Sequence, residues 1–188
     1  LVVAATAELS AASTLTTFAA TYGGVAMRPI ATTAASSSSV HAGMWYLRNA
    51  EIPAGSNSVA LSYATASGNV TGLHIKRASY SGVDQVNTVN SFAGNVNAGA
   101  NVTFGAAVSY LPTNINVYVA ANAGTPATIP AQPGDFVAVG AATTTTNGLS
   151  SFLGQSPAET TTNSYGLGTT VTFGGTTGAA SAVVAASI

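Results

Sequence analysis

The side chains that could carry acid–base chemistry are few and scattered along this chain of 188 residues. General acid–base hydrolysis commonly uses two carboxyl groups that face each other across the bond to be broken. No two of the acidic residues are close in sequence, so a paired site would require the fold to assemble it. These residues are Glu8, Glu51, Asp84, Asp135 and Glu159.

Residues that could bind a metal ion or react as thiols are scarcer still. The two histidines, His41 and His74, have no second metal-type ligand two, three or four residues away. Cysteine is absent, so neither a thiolate metal site nor a disulfide framework can form. We therefore expect no metal ion.

Nucleophile and phosphate-binding motifs are also missing. Serine is abundant, but the pattern G-x-S-x-G of a strained nucleophile turn does not occur. Gly166-Leu167-Gly168 does not continue into a phosphate-binding loop, and no lysine follows it. Because catalysis usually draws on titratable groups with perturbed pKa values, the sequence predicts a protein that is not an enzyme, with no catalytic residue and no cofactor.

Three polar features have both a functional and a structural interpretation. Lys76-Arg77 beside His74 could contact an acidic partner, or could be two solvated side chains. Trp45-Tyr46 could stack on a sugar, but Trp45 lies in an apolar strand and is predicted to be core. Asp84 could bind an ion or a partner, or could accept hydrogen bonds from backbone amides in a turn. We take the structural interpretation in each case.

Charge is the most unusual property of the chain. Charged residues make up 5% of it, against about 25% in an average soluble protein, and the net charge is −1. Only four lysines and arginines are present, which excludes a nucleic-acid surface built on phosphate neutralisation. No apolar run approaches the ~20 residues that span a bilayer, so no membrane partner is expected. The chain begins at Leu1 without a methionine or the basic segment of a signal peptide, which indicates trimming or a start part-way through the gene product.

Alternation of large apolar with small polar residues predicts β-strands, with the larger residues facing the core and Ser, Thr and Asn facing outward. Glycine, proline and asparagine clusters separate the segments, as in an all-β sandwich or barrel. The segments with this pattern are 58–63, 102–108, 115–119 and 170–173, and further candidate strands are 41–48, 73–80, 135–141 and 182–188. Segments 1–6 and 15–22 add two more strands, with a helix over 4–20 as the alternative that alanine content allows.

The whole chain, 1–188, is predicted to be one domain, because composition does not shift along it and no linker is visible. The larger-residue face of each alternating strand should be buried. That prediction applies to Leu61, Phe104, Val117, Phe136 and Phe173.

Four segments occur in an order that resembles a family. They are Tyr22-Gly23-Gly24-Val25-Ala26-Met27, Met44-Trp45-Tyr46-Leu47, Ile52-Pro53-Ala54-Gly55-Ser56-Asn57-Ser58-Val59 and Ser79-Tyr80-Ser81-Gly82-Val83-Asp84-Gln85. Together with 133–139 and 182–188, they resemble a group of β-sandwich domains in bacteriophage virion proteins and some bacterial surface proteins. The chain departs from that group in its near absence of charge and in the threonine run Thr143 to Thr146.

The resemblance implies an antiparallel, jelly-roll-like β-sandwich, and it brings no catalytic residues. An isolated soluble domain usually keeps a quarter or more of its surface charged, whereas neighbours in an ordered assembly can cover a neutral surface. We therefore expect a non-enzymatic virion structural protein, a phage capsid decoration or cement protein on the capsid surface. Its expected partners are the major capsid protein and further copies of itself, with a trimer favoured by local threefold symmetry.

Two alternatives remain open. One is a receptor- or glycan-binding module of a tail fibre or cell-surface adhesin, in which Tyr46, Tyr118 or Tyr165 would stack on sugars. The other is an extracellular filament subunit, in which a terminal segment, 1–6 or 182–188, would leave its own sandwich to complete the sheet of a neighbour.

Overall fold

Antiparallel strands make up nearly all of the regular structure in a computed structural model. It describes residues 1–33, 37–89, 91–97, 101–103, 108–110, 114–123, 137–138, 143–144, 149–155, 163–165, 170–172 and 180–188. The strands are β1 (Val2–Tyr22), β2 (Val25–Ala26), β3 (Arg28–Thr32), β4 (Ser37–Tyr46), β5 (Val59–Thr65), β6 (Val70–Ala78), β7 (Ser91–Asn97), β8 (Asn101–Thr103), β9 (Val108–Tyr110), β10 (Asn116–Ala123), β11 (Val137–Ala138), β12 (Thr143–Thr144), β13 (Leu149–Gln155), β14 (Asn163–Tyr165), β15 (Thr170–Thr172) and β16 (Ser181–Ser187). The only helical turn in these ranges is a 3-10 turn, Asn49–Glu51.

The first sheet is organised around β1, which pairs with four other strands. Its first half pairs with β4 on one side and β6 on the other, and its second half pairs with β5 and β2. The predicted strands at 1–6 and 15–22 are thus two halves of one continuous strand. The predicted alternative, a helix over 4–20, is not formed.

A bulge divides these two halves. The register of β1 against β4 shifts between Glu8 and Ser13, and the residues between them are largely exposed. The link from β5 to β6 follows the same bend, because the amides of Ser67 and Asn69 donate to the hydroxyls of Ser13 and Ser10 at 2.9 and 3.1 Å. The sheet therefore curls, and the second half of β1 folds over the outer face of the first.

His41 holds the bend from within. It is fully buried on β4, with Nε2 2.9 Å from the carbonyl oxygen of Ser13 and 3.0 Å from that of Ser38. Nδ1 is 3.1 Å from the carbonyl oxygen of Thr33. Carbonyl oxygens only accept hydrogen bonds, so the ring nitrogen that carries the hydrogen is the donor in these contacts. His41 thus ties together the bend of β1, the start of β4 and the end of β3.

The second sheet has the order β11-β13-β10-β16-β7, with β12 paired to β13. It packs face to face on the first sheet. The inter-sheet core combines small and β-branched residues of β1 and β4 with those of β10, β13 and β16, and its buried members include Ala4, Val40, Ala42, Met44, Val117, Val119, Leu153, Val184 and Ala186. The predicted all-β antiparallel sandwich is confirmed.

A second apolar cluster lies on the other side of the first sheet, inside the curl. Trp45 is its centre, 1% exposed, with its ring edge-on to Phe18 at a centroid distance of 5.0 Å. Val3, Ala5, Ala7, Leu9 and Leu15 complete much of the cluster. The predicted core position of Trp45 is confirmed.

The prediction that each strand has one buried and one exposed face is only partly right in the second sheet. Along β10 and β16 the residues of both faces are buried, including Asn116, Asn122, Ser181 and Ser187 on the faces expected to be outward. Strands β8 and β9, each paired with a later strand, contact β16 and β7. These small sheets form a further layer, which periodicity within a single strand cannot reveal.

Of the five predicted core residues, Val117 is fully buried. Leu61 is only half-buried against the Trp45 cluster, because in the described structure its strand β5 pairs with β1 alone and lies at an edge. Phe104, Phe136 and Phe173 lie outside the described residues.

The first stability prediction concerns Gly43, which lies beneath the Trp45 ring. A Cβ at Gly43 would lie 2.8 Å from Trp45 Cζ2 and 3.1 Å from Phe18 Cδ1, well inside van der Waals contact. We expect Gly43→Ala to lower the free energy of unfolding by about 1–3 kcal/mol, the usual cost of overpacking. Gly94→Ala is the matched strand control, since its nearest neighbours would be 3.4 Å away. Equal urea midpoints for the two variants would contradict this assignment.

The second stability prediction concerns His41. His41→Leu fills the site but removes the buried ring N–H that donates to the surrounding carbonyls, so we expect the free energy of unfolding to fall by about 1–3 kcal/mol. Urea unfolding measures this. A loss under about 1 kcal/mol would mean that the His41 hydrogen bonds do not hold the bend.

Candidate functional site

All four basic residues of the chain lie at one end of the first sheet. Across the strands, Arg28 on β3 pairs with Tyr46, Tyr46 with Val2, and Val2 with Ala78 on β6. Arg77 and Lys76 precede Ala78, and Arg48 follows the end of β4. We call the end of the molecule that carries Arg28, Arg48, Lys76 and Arg77 the basic end.

The same end gathers the four segments that carry the family resemblance. The turn after β1 is bonded to the segment before β5, because the amide of Gly23 donates to the carbonyl of Ser58 at 3.0 Å. Gly23 has a φ of +57°, and Asn57 and Pro53 pack so closely on it that no side chain would fit. Residues separated by up to about sixty positions in sequence thus form one surface.

Two of the basic residues share a single carboxylate. Glu51 Oε1 accepts from Arg28 Nη2 at 2.6 Å and from Arg48 Nη2 at 2.8 Å, and Oε2 accepts from the backbone amide of Arg48 at 3.0 Å. Hydrogen bonds from Arg28 and then from Arg48 hold the pKa of the Glu51 carboxyl far below its usual range. The cluster carries a net charge of +1 and joins β3 to the 3-10 turn after β4.

Residues 79–88, which follow β6, form a loop that is bonded to this cluster. Asp84 Oδ1 accepts from the amides of Val86 and Asn87 at 2.7 and 3.2 Å, and these bonds lower the pKa of its carboxyl. The predicted role of Asp84 in a turn is confirmed. Gln85 Oε1 accepts from the amide of Asn49 at 2.6 Å, which fixes the 79–88 loop against the 3-10 turn.

A cavity of about 160 Å³ lies between this loop, the start of β1 and the end of β4. Val2, Leu47, Ile52 and Val83 give it apolar walls. Tyr80 and Thr88 also line it, with hydroxyl oxygens that each expose less than 1 Å². Burial raises the pKa of Tyr80 to about 12, so its hydroxyl keeps its proton at neutral pH. Sequence reasoning missed Tyr80 and Thr88, since no local pattern places either residue in a cavity.

His74 and Ser151 form a nucleophile–base contact, with Nδ1 2.7 Å from Oγ. Ser151 is 1% exposed, so a substrate would have no access to its hydroxyl. Burial and then the charge of Lys76 lower the pKa of His74, which keeps the ring neutral at pH 7. The contact joins β6 of the first sheet to β13 of the second, and we interpret it as a structural bridge.

Lys76 and Arg77 point to different environments. Arg77 is exposed, whereas Lys76 is half-buried and burial lowers the pKa of its ammonium group. Arg77, Tyr22 and Asn57 line an open polar hollow beside the cavity. The expected pair of solvated side chains is therefore right for Arg77 and only partly right for Lys76.

The described acids do not form a paired site. Glu8 lies on β1 beside Gly72 of β6, away from the basic end, and burial raises the pKa of its carboxyl. Glu51 and Asp84 are both used in the local bonds given above, and Asp135 and Glu159 lie outside the described residues. Within the part of the chain that the structure describes, no three histidine or acidic side chains come together to hold a metal ion.

The aromatic residues proposed for sugar stacking are dispersed. Tyr46 is half-buried at the cavity, and Tyr118 is 1% exposed with its ring packed over Gly154. The expected exposure of Tyr118 is wrong, because β10 is covered on both faces. The side chain of Tyr165 lies outside the described residues.

Comparison with models of protein families, with curated proteins and with solved structures finds no match to this chain. Among the described residues, no helix has the length and apolar character needed to cross a bilayer.

A pH-dependent prediction follows from Glu51. Its folded pKa is lower than its unfolded pKa, so it stabilises the fold above about pH 4.5 and loses this effect as pH falls. We expect Glu51→Gln to have a lower urea midpoint than the parent protein at about pH 6. At about pH 2.5 the difference between the two urea midpoints should be smaller.

Glu8→Gln is the matched control with the opposite sign. The folded pKa of Glu8 is raised by burial, so the charged form opposes folding as pH rises through that value. This variant should therefore be more stable than the parent at about pH 6. If Glu51→Gln left the urea midpoint unchanged at both pH values, the Arg28–Glu51–Arg48 cluster would not contribute to stability.

Proposed function

We propose that this protein is a non-enzymatic structural component of an ordered assembly, and that the assembly is a bacteriophage virion. In its sharper form, it is a capsid decoration or cement protein that binds over the head shell and clamps neighbouring major capsid protein subunits. On this proposal the protein lies on the capsid surface. The alternative location is another extracellular assembly.

The observation that carries this proposal is the nature of the exposed surface. Outward positions are mostly small and neutral, as in the run Ser10–Ala12 at the bend and in Ala60, Ser62 and Ala64 on β5. Large apolar side chains interrupt this surface at Tyr63, Ile75 and Phe92, which are 46%, 43% and 58% exposed. A neutral surface with separate apolar anchors is suited to contact with fixed neighbours rather than to dispersion in solution.

The bonding of the polar side chains supports the same proposal. Several charged and nucleophilic groups bond to each other or to the backbone, as in the Glu51 cluster, the Asp84 turn and the His74–Ser151 bridge. Such groups stabilise a scaffold.

The two alternatives have less support. A filament subunit would use a free terminal segment, but residues 2–9 pair with β4 and β6, and β16 pairs with β10 and β7. A glycan-binding module would use a cluster of exposed aromatic residues and carboxylates, and of the three nominated tyrosines Tyr46 alone is described with a partly exposed side chain.

The experiment is a dissociation series on the native particle, with native mass spectrometry of the purified chain alongside. With so few charges, association should survive a rise in NaCl from about 0.05 to 1 M, over which the Debye length falls to about 3 Å. Moderate urea should release the protein, because it solvates apolar and peptide groups. We expect a trimer by native mass spectrometry.

Immunogold labelling of native particles separates the possible locations. Label over the head shell is the expected result. Label confined to fibre tips would favour the receptor-binding alternative, and release by salt alone would show that charge holds the assembly and would contradict the proposal.

A further inference from the structure

The open polar hollow at the basic end contains an arginine that has no partner in the described structure. The other two arginines share the Glu51 carboxylate, whereas Arg77 is exposed and its guanidinium makes no hydrogen bond or ion pair with a described residue. The described lining has no carboxyl side chain. Its other positive group is the Leu1 ammonium, which donates to the carbonyl of Leu47 at 3.0 Å. The hollow therefore has positive charge without a counter-charge, and such a surface attracts anions.

We propose that this hollow binds a sugar acid of one ring, such as a hexuronate, whose carboxylate is held by the Arg77 guanidinium and whose hydroxyl groups contact the hydroxyl side chains around it. The inference goes beyond the proposed function and does not depend on it, since the site needs only the basic end of the first sheet.

The curl of the first sheet brings the parts of this site together. Arg77 of β6 pairs with Val3 of β1, and residues paired across two strands share one face of the sheet. The Arg77 side chain therefore leaves the sheet on the face of the Trp45 cluster, to which Val3 belongs. Tyr22, at the end of the folded-over half of β1, packs against the same cluster. Arg77 and Tyr22 thus line one hollow although they lie on different layers.

The chemistry of the lining favours a carboxylate with hydroxyl groups beside it. A guanidinium presents its N–H donors in one plane, which matches the two oxygens of a carboxylate. Tyr22, Ser56 and Ser79 add three hydroxyl groups, and none of these is bonded to a described residue. Hydroxyl groups both donate and accept hydrogen bonds, so they can pair with the hydroxyl groups of a sugar in either direction.

The size and the access of the hollow fit one sugar unit. Its volume of about 360 Å³ is at the lower end of the range for small-molecule sites. Arg77, Ser56 and Ser79 are all exposed, so a ligand that arrives from solvent can reach the groups proposed to bind it. The site therefore takes a small polar ligand without any opening of the fold.

One wall of the hollow is fixed before the ligand arrives. The Asn57 amide nitrogen donates to three carbonyl oxygens of the turn before it, at 3.0 to 3.2 Å. The amide of Gly23 donates to the carbonyl of Ser58 at 3.0 Å. These bonds hold the turn that contains Ser56 against the end of β1. A preformed site loses less conformational entropy on binding.

The test is an NMR titration of the full chain at neutral pH and low ionic strength. Galacturonate and galactose differ only at C6, which is a carboxylate in the first sugar and a hydroxymethyl group in the second. Galacturonate should shift the signals of Tyr22, Arg77 and Ser79, and should bind at least about tenfold more tightly than galactose because its carboxylate accepts charge-assisted hydrogen bonds. Equal affinities, or no binding of galacturonate, would contradict the proposal.

Inorganic phosphate is the third probe, because it is an anion without a sugar ring. It should bind more weakly than galacturonate, since it cannot use the three hydroxyl side chains together with Arg77. Phosphate binding as tight as that of galacturonate would show a site for anions in general, and the assignment of a sugar would then be wrong.

Two neighbouring substitutions assign the effect to Arg77. Arg77→Gln should weaken galacturonate binding at least about tenfold. Lys76→Gln is the matched control, because it removes the same charge from the next residue, which pairs with Ala4 and lies on the face toward the second sheet. An equal loss of affinity in the two variants would mean that overall charge alone attracts the ligand, and would overturn the site.

Two further measurements separate binding from folding. The urea midpoint of Arg77→Gln should equal that of the parent protein, because the side chain is exposed and has no described partner. A marked fall would show that the fold already uses Arg77 and would contradict the proposal. Arg77→Lys keeps the charge but loses the planar pair of donors, so its galacturonate affinity should lie between those of the parent and Arg77→Gln. Full affinity in Arg77→Lys would show that the guanidinium geometry does not hold the carboxylate.

Discussion

The bend in β1 is the constraint on which the other features depend. A straight strand of 21 residues would be about 70 Å long, whereas a globular domain of this size is only about 40 Å across. The strand must therefore bend, and it does so at the bulge between Glu8 and Ser13. The hydroxyls of Ser10 and Ser13 and the ring of His41 bond to the backbone groups that the bend would otherwise leave without partners.

The bend produces three stacked layers from two sheets. The even-numbered residues at the start of β1 face the second sheet, and the odd-numbered ones face the folded-over half of β1, so both sides of this segment are buried. Small residues make this stacking possible. Gly43 allows the Trp45 ring to lie flat against its own strand, and Gly154 does the same for Tyr118 across the β10–β13 pair.

The scarcity of charge is compatible with this fold because neutral polar side chains supply the internal hydrogen bonds. Thr33 is an example, since its hydroxyl accepts from the amide of Ala42 and donates to the same residue's carbonyl. Most of the charged side chains that the structure describes lie at the basic end. There Arg48 donates to the carbonyl of Gln85, and the Gln85 side chain accepts from the amide of Asn49, so the 79–88 loop is held beside the cavity. A neutral, small-residue exterior is the basis of the proposed function.

The sequence by itself determined the fold class, several strand positions, such as those of β5, β6, β10 and β16, and the structural roles of Trp45 and Asp84. These follow from local causes: alternation along a strand, the large apolar area of an indole, and the reach of a short carboxylate to amides two and three residues ahead. Only the tertiary structure decided that β1 is one bent strand, that β10 and β16 are covered on both faces, and that Tyr118 is buried. It also brought Arg28 to Glu51 and placed Tyr80 and Thr88 on one cavity. These features depend on contacts between residues far apart in sequence, and no pattern within one segment records which face a later layer will cover.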